Sequence, residues 1–468
     1  MPALGGTARQ VADFGSRPAW SRDGAWIAFQ SWVNQDFGAI AGAMLPPSTI
    51  WVVASQGGEP KQVTQVANPS GGHGTPTWSP DGKRIAFVTS PSEIWSVSAQ
   101  GDDLKRLISA RFIYDPVYSP DGKSIYYAAT TEGLNFGLWQ LPVSTAGEAA
   151  GAPVRILSSA LPINKNLTIS ADGKRIAYSA VLTTSNLWSL PVPANSNATV
   201  GAPAPLTTGS LLRNALVTFS PDGRKIAYVV FRTGEEGHIR VMDADGKNVV
   251  DLTADSQVCT AYPNWFPDGK QIAFADGCPV GKRVLSIPVE GGRQKLLLDP
   301  GQDISFMRLS PDGKRLAFNS RKSGTINVWV ASLEDQGVTQ LTFDKELMGF
   351  PFWSPDGQFI ALEAKRGDDT QIMIIPREGG APTQLTSDRG LNWTGGFSPD
   401  GDKVLFAGQR DGVWNLWWVS RSTKAEKKLT GYTKLNTYVR YPVWSPLGDK
   451  IVYEYAETTG NIWLIELK

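Results

Sequence analysis

The chain carries only two histidines, His73 and His238, so imidazole acid–base chemistry and histidine-bound zinc have little to build on. No G-x-S-x-G nucleophile turn, H-E-x-x-H zinc motif, P-loop or EF-hand loop occurs. His73 lies in PSGGHGTP and reads as a solvated loop residue; His238 directly precedes an expected third strand. Carboxylates recur instead, at Asp23, Asp81, Asp121, Asp172, Asp222, Asp268, Asp312, Asp356 and Asp400. A calcium ion needs about six to eight oxygens converging on one point, whereas these aspartates come one per repeat, so they read as turn formers. Leu447 stands at the same place in the tenth copy, which a turn tolerates and a ligand set does not. We therefore expect no metal and no cofactor. Cys259 and Cys278 flank one expected hairpin, whose two strands return them to the same end of a sheet. A disulfide there would close a loop of about twenty residues. Two free thiols are the alternative; the bond would argue for a periplasmic or extracellular setting.

The elements that position these residues are written ten times. WSPDGKRIAF from Trp78 has copies beginning at Trp20, Tyr118, Ile169, Phe219, Trp265, Leu309, Trp353, Phe397 and Trp444. Proline sets φ at the first turn corner, aspartate hydrogen-bonds nearby backbone and glycine takes positive φ, so each copy reads as strand, tight turn, strand. A third strand follows, as in IWVVA from Ile50, LWSLP from Leu187 and IWLIE from Ile462. A Gly-rich turn and a segment ending in Leu-Thr close most units, as in GGAPTQLT from Gly379. The turn glycines are 40 to 58 residues apart, steadiest at 44 between Gly313, Gly357 and Gly401. Four strands at that period mark a propeller blade, and no helical periodicity competes.

Forty-five basic against 44 acidic residues leave no charge block for nucleic acid or an anionic membrane. MPALGGTARQ lacks the layout of a secretory signal, and no apolar run reaches membrane-spanning length.

Taken together, the SPDG hairpin, the I-W-V third strand and the GG-x-x-x-x-L-T fourth strand resemble the WD40-like repeats of TolB-type β-propellers. These are related to the propellers preceding the hydrolase domains of tricorn and prolyl-oligopeptidase-type peptidases. The resemblance spans nearly residues 1–468 and implies an all-β propeller of ten four-stranded blades. One closed ring is favoured, with two smaller tandem rings as the alternative; a section cut from a longer array would show the same ends. LGGTARQVADF from Leu4 looks like a fourth strand that completes the last blade. The resemblance implies a non-catalytic scaffold for a protein or peptide, with a small ligand or glycan as further possibilities, in the bacterial periplasm. A sensory region of a transcription regulator or serine/threonine kinase, or a peptidase gate, are the alternatives it leaves open.

Loops entering the first strands should surround the channel of a propeller, where function collects. Arg17, Thr75, Asp115, Asn166, Tyr262, Phe306, Phe350, Trp393 and Tyr441 lie just ahead of those strands and form the candidate binding set. Some of them would equally serve to fill the channel mouth. The apolar insertion from Trp32 to Pro47 is a second candidate contact.

Overall fold

The computed structural model describes residues 9–31, 48–89, 93–130, 136–159, 163–192, 200–209, 212–232, 237–254, 256, 259–277 and 280–467. Among these residues every regular element is a β-strand. The insertion at Trp32–Pro47 and the segment from Leu4 through residue 8 lie outside them, as does Cys278.

The repeated turn is a small hydrogen-bonded unit. In the second copy Ser79 Oγ donates to Asp81 Oδ1 at 2.6 Å and accepts the Arg84 N–H at 2.9 Å, while the same carboxylate oxygen accepts the Lys83 N–H at 3.1 Å. Gly82, at φ 69°, donates its N–H back to the Ser79 carbonyl at 2.9 Å. The strands thus leave the turn in a fixed antiparallel register, Trp78 opposite Ile85. In this sheet His73–Trp78, Arg84–Thr89, Glu93–Ser98 and Lys105–Ser109 follow one another in spatial as well as chain order.

The Leu-Thr ending has a specific task. The threonine hydroxyl accepts a backbone N–H of the third strand: Thr64 from Ile50 at 2.8 Å, Thr342 from Val328 at 2.9 Å, Thr386 from Ile372 at 2.9 Å, Thr430 from Leu416 at 2.9 Å. Short fourth strands such as Thr383–Gln384 are thereby anchored with very few ladder bonds. Between neighbouring sheets, Ile and Phe of I-A-F pack on one side and the alanine on the other. Ala86, Ala273, Ala317 and Ala361 are fully buried, and so small a side chain lets the next sheet approach closely.

The chain divides into two compact units, residues 1–182 with 459–468, and residues 183–458. Where the sequence favours a single ring, two bodies form, and one is inserted in the sequence of the other rather than following it in tandem. Repeats four and ten bring this about. Their second and third strands are expected to be hairpins but run on as single strands, Arg175–Pro191 and Lys450–Glu466. The joint of the former, VLTTSN from Val181, holds β-branched residues and neither Gly nor Pro, so nothing turns the chain. Third strands are exchanged as a result. Leu467 donates its N–H to the Lys174 carbonyl at 2.7 Å within the first unit, and Val192 donates to Asp449 at 2.8 Å within the second.

In the second unit the first strands are Leu212–Phe219, Thr260–Trp265, Ser305–Leu309, Met348–Trp353, Asn392–Phe397 and Thr437–Trp444. Each packs on the next, and the sixth packs on the first.

Candidate functional site

Nearly every first strand contains a β-bulge at the third residue before its final aromatic or apolar residue. There two residues oppose one on the second strand, as between Ala261 and Asn264, Ser305 and Arg308, or Gly349 and Phe352. The residue at the bulge takes left-handed backbone: Arg17, Thr75, Asp115, Asn166, Leu216, Tyr262, Phe306, Phe350 and Tyr441 all have φ between 41° and 63°. Such a conformation costs a non-glycine residue roughly 1–3 kcal/mol and is held by its surroundings. A proline follows Arg17, Thr75, Asp115, Tyr262, Phe350 and Tyr441, where the ladder is interrupted and no N–H is needed.

Eight of these nine positions belong to the expected set, although they lie inside the first strands rather than in loops ahead of them. Leu216 was missing from that set, and Trp393 is one residue early: the matching position is Thr394, followed by Gly395 and Gly396. A Cβ on Gly395 would stand 2.5 Å from the Pro442 carbonyl oxygen, which explains the glycine. Counting three residues back from every pre-turn residue, Phe219 and Phe397 included, finds both positions. Trp393 instead stacks on Trp414, ring centroids 3.9 Å apart.

In the first unit the bulge residues satisfy one another. Arg17 pairs with Asp115 at 3.2 Å, and the other Asp115 oxygen accepts the Asn166 N–H at 2.5 Å. Thr75 donates its N–H to Gln30 Oε1 at 3.0 Å. His73, read from sequence as solvated, is fully buried in the strand His73–Trp78. Its Nδ1 lies 2.8 Å from Thr64 Oγ1 and its Nε2 2.9 Å from the Pro69 carbonyl, and burial lowers its pKa. It is a core residue because both ring nitrogens find partners there.

In the second unit the bulge residues converge. The Phe306 ring lies 5.0 Å from that of Tyr262, 4.1 Å from Phe350 and 5.7 Å from Tyr441. Around this cluster stand three guanidinium groups that sequence reasoning missed. Arg213 grips Glu454 with both arms, Nε to Oε1 at 2.8 Å and Nη2 to Oε2 at 3.1 Å, and Ser185 Oγ adds a third donor at 2.7 Å. Burial alone would raise the Glu454 pKa, but Arg213 and Arg440 overcome it and hold the carboxyl ionised. Arg440, opposite Glu454 in the ladder, lies over the rings of Tyr438 at 4.8 Å and Trp393 at 5.4 Å. Arg308 rests over Phe352 at 4.4 Å, and burial pushes its pKa down to about 10, partly offset by Tyr262 and Tyr441. Glu363 accepts the Thr394 N–H at 3.2 Å; burial drives its pKa up to about 8, so it is mostly protonated at neutral pH. No linear signal marks Arg213 and Glu454, which are 241 residues apart. Glu454 and Glu363 do share one register position in their second strands, four residues after the turn-proximal Lys450 and Phe359.

Among the described residues no group of His, Cys, Asp and Glu is arranged to hold a metal ion. No helix among them is long and apolar enough to cross a membrane. Cys259 is disulfide-bonded.

Comparison with known proteins agrees with this architecture. The model of the TolB β-propeller domain matches residues 223–467, more than half of the chain. The chain belongs to the TolB-type β-propeller family. It is similar to an uncharacterised peptidase, YuxL, of Bacillus subtilis (strain 168), at 27% identity over 174 residues, 37% of this chain and 23% of that protein. The chain thus spans less than a quarter of that curated relative. Among solved structures, TolB from Acinetobacter baumannii matches at 22% identity, covering 66% of this chain and 65% of that one, with a TM-score of 0.29. The tricorn protease matches at 12% identity over 95% of this chain and 48% of its own, with a TM-score of 0.33.

Proposed function

We propose that the sheets close into two propellers and that the second, residues 183–458, is a non-catalytic platform for a peptide or protein ligand. The observation that carries this reading is the convergence of Tyr262, Phe306, Phe350 and Tyr441 from four different sheets on one centre. Left-handed bulge backbone fixes all four, so the aromatic surface is formed before any ligand arrives and little ordering entropy is lost on binding. Aromatic and arginine side chains are the residues most often responsible for binding energy at protein interfaces. The continuous circuit of first strands supports ring closure in this unit. The disulfide at Cys259 supports an extracytoplasmic setting.

The test is a paired assay on the intact chain, capture of a peptide library alongside turnover of peptide and ester substrates. Capture without turnover is expected, weakened about tenfold or more by Phe350→Ala, in keeping with loss of an aromatic anchor. Turnover by the chain itself would sink the platform reading. A second reading, a propeller that gates a peptidase, is favoured by the likeness to the Bacillus subtilis peptidase. Under it, captured peptides would be substrates of a hydrolase domain rather than signals.

A further inference from the structure

The sheet of the sixth repeat carries a recess of about 260 Å³, lined by Lys270, Gln271, Ser286, Pro288, Arg293 and Lys295. Three of these residues are cations and none is a carboxylate. Among the described residues the charged groups of Lys270, Arg293 and Lys295 form no ion pair. Ser286 is only 2% exposed, and its hydroxyl meets no hydrogen-bond partner among the described residues. A buried polar group in that position calls for a partner. The second repeat shows how the recess arises. Ser286 lies between Ala273 and Lys295 in the ladder, as Ser96 lies between Ala86 and Lys105. In the second repeat the protein fills this place itself. Arg84 donates Nε to Ser96 Oγ at 2.8 Å and Nη1 to Asp103 Oδ2 at 2.7 Å, and Lys105 pairs with Asp103 at 3.3 Å and Glu148 at 3.1 Å. In the sixth repeat Gln271 stands where Arg84 does and Arg293 where Asp103 does. The inner cation is lost, its carboxylate is replaced by a guanidinium, and the serine is left facing an open, positively charged recess.

We propose that this recess binds a phosphate group, held by the Ser286 hydroxyl and the charges of Lys270, Arg293 and Lys295. The site shares no residue with the aromatic centre and goes beyond the platform reading. A phosphate monoester carries a charge of roughly −1.5 to −2 near neutral pH and three acceptor oxygens, so one group answers several cations and a hydroxyl together. A carboxylate brings a single charge. The Arg293 fork matches two phosphate oxygens in parallel hydrogen bonds, and the lysines act as point charges. Pro288 alone among the lining residues is apolar, so recognition here is by charge rather than by an apolar body. The volume falls just under the roughly 300 Å³ at which pockets for drug-sized ligands begin, which suits an ion or the head of a larger ligand.

The experiment titrates the intact chain with inorganic phosphate and with a capped phosphoserine peptide by calorimetry, with acetate at equal ionic strength as the control. Both phosphate probes should bind at least about tenfold tighter than acetate, and binding should weaken as salt rises. It should tighten as pH climbs from about 5 to about 7 and the second phosphate proton is lost. A tighter peptide assigns the site to phosphorylated protein; inorganic phosphate binding equally or more tightly assigns it to the free ion. Gln271→Arg combined with Arg293→Asp rebuilds the internal bridge of the second repeat. This exchange should weaken phosphate binding about tenfold or more while the melting temperature holds. Lys295→Gln, at an exposed position, should weaken it several-fold and keeps the test open if the double exchange disturbs the sheet. Phosphate binding that is unaltered in both variants would overturn the proposal. So would acetate binding as tightly as phosphate, or no phosphate binding by the unaltered chain. None of these results touches the platform reading, which the peptide capture tests separately.

Discussion

Leu447 shows what the repeated aspartate does by its absence. In the tenth turn Ser445 Oγ accepts the Leu447 N–H at 3.2 Å, and the side chain that would accept from Ser445 is an isobutyl group, 66% exposed. Leu447→Asp should restore the missing bonds and stabilise the chain by about 0.5–1 kcal/mol, read as a higher melting temperature. Where a serine precedes the turn, the carboxylate can be held below its usual range: the pKa of Asp312 is lowered through its hydrogen bond from Ser310 and that of Asp400 through the one from Ser398. Their contribution is present above the unfolded value and is lost as pH falls through the folded one, so acid should weaken the turns below about pH 4. Glu363 behaves in the opposite sense. Its pKa is raised to about 8, so folding is penalised progressively as pH climbs from the unfolded carboxyl range to 8 and constantly above it. Glu363→Gln should therefore melt close to the unaltered chain at pH 4.5, and its advantage should grow through pH 8, on the order of a few kcal/mol. An advantage that does not change with pH would contradict this account. The turn aspartate was legible in the sequence because its partners lie two residues away on either side; the Arg213–Glu454 pair was not, since only the folded second unit brings together residues 241 apart.

At the scale of the element, the threonine that ends most repeats stands in for a ladder. Thr342 Oγ1 accepts the Val328 N–H at 2.9 Å and donates to Asn327 Oδ1 at 2.9 Å. Thr342→Val preserves shape and leaves a buried N–H and a buried amide oxygen short of a partner, so it should cost about 1–3 kcal/mol in denaturant unfolding. A loss well below that range would mean the outer strand is held by packing alone. Strand identities were readable, because alternation and turn residues are local signals. Strand partnership in repeats four and ten was not. IAYSA from Ile176 and LWSLP from Leu187 look like the two arms of a hairpin, yet they form one strand because the residues between them favour extension. The bulges lay between these extremes. Their positions follow a uniform offset from the turn, but nothing local in Leu216 or Thr394 announces a bulge, and neither is followed by the proline that marks six of the others.

For the whole molecule, the decisive feature is where the second unit begins and ends. Thr183 Oγ1 and Thr458 Oγ1 lie 3.0 Å apart, so residues 183–458 leave and rejoin the rest of the chain at one point. Expressed alone, this segment should unfold cooperatively with the melting temperature of its own transition in the full chain; a molten product would show that the unit depends on its host. The same topology imposes an order in time. The strand at 459–466 is a neighbour of Arg175–Pro191 in the sheet, and Leu467 bonds to Lys174. About 280 residues of synthesis separate those partners, which at typical translation rates is roughly 15–55 seconds. On the ribosome, residues 183–458 can therefore complete their fold while the first unit waits with one sheet edge open. The inserted segment matures before its host.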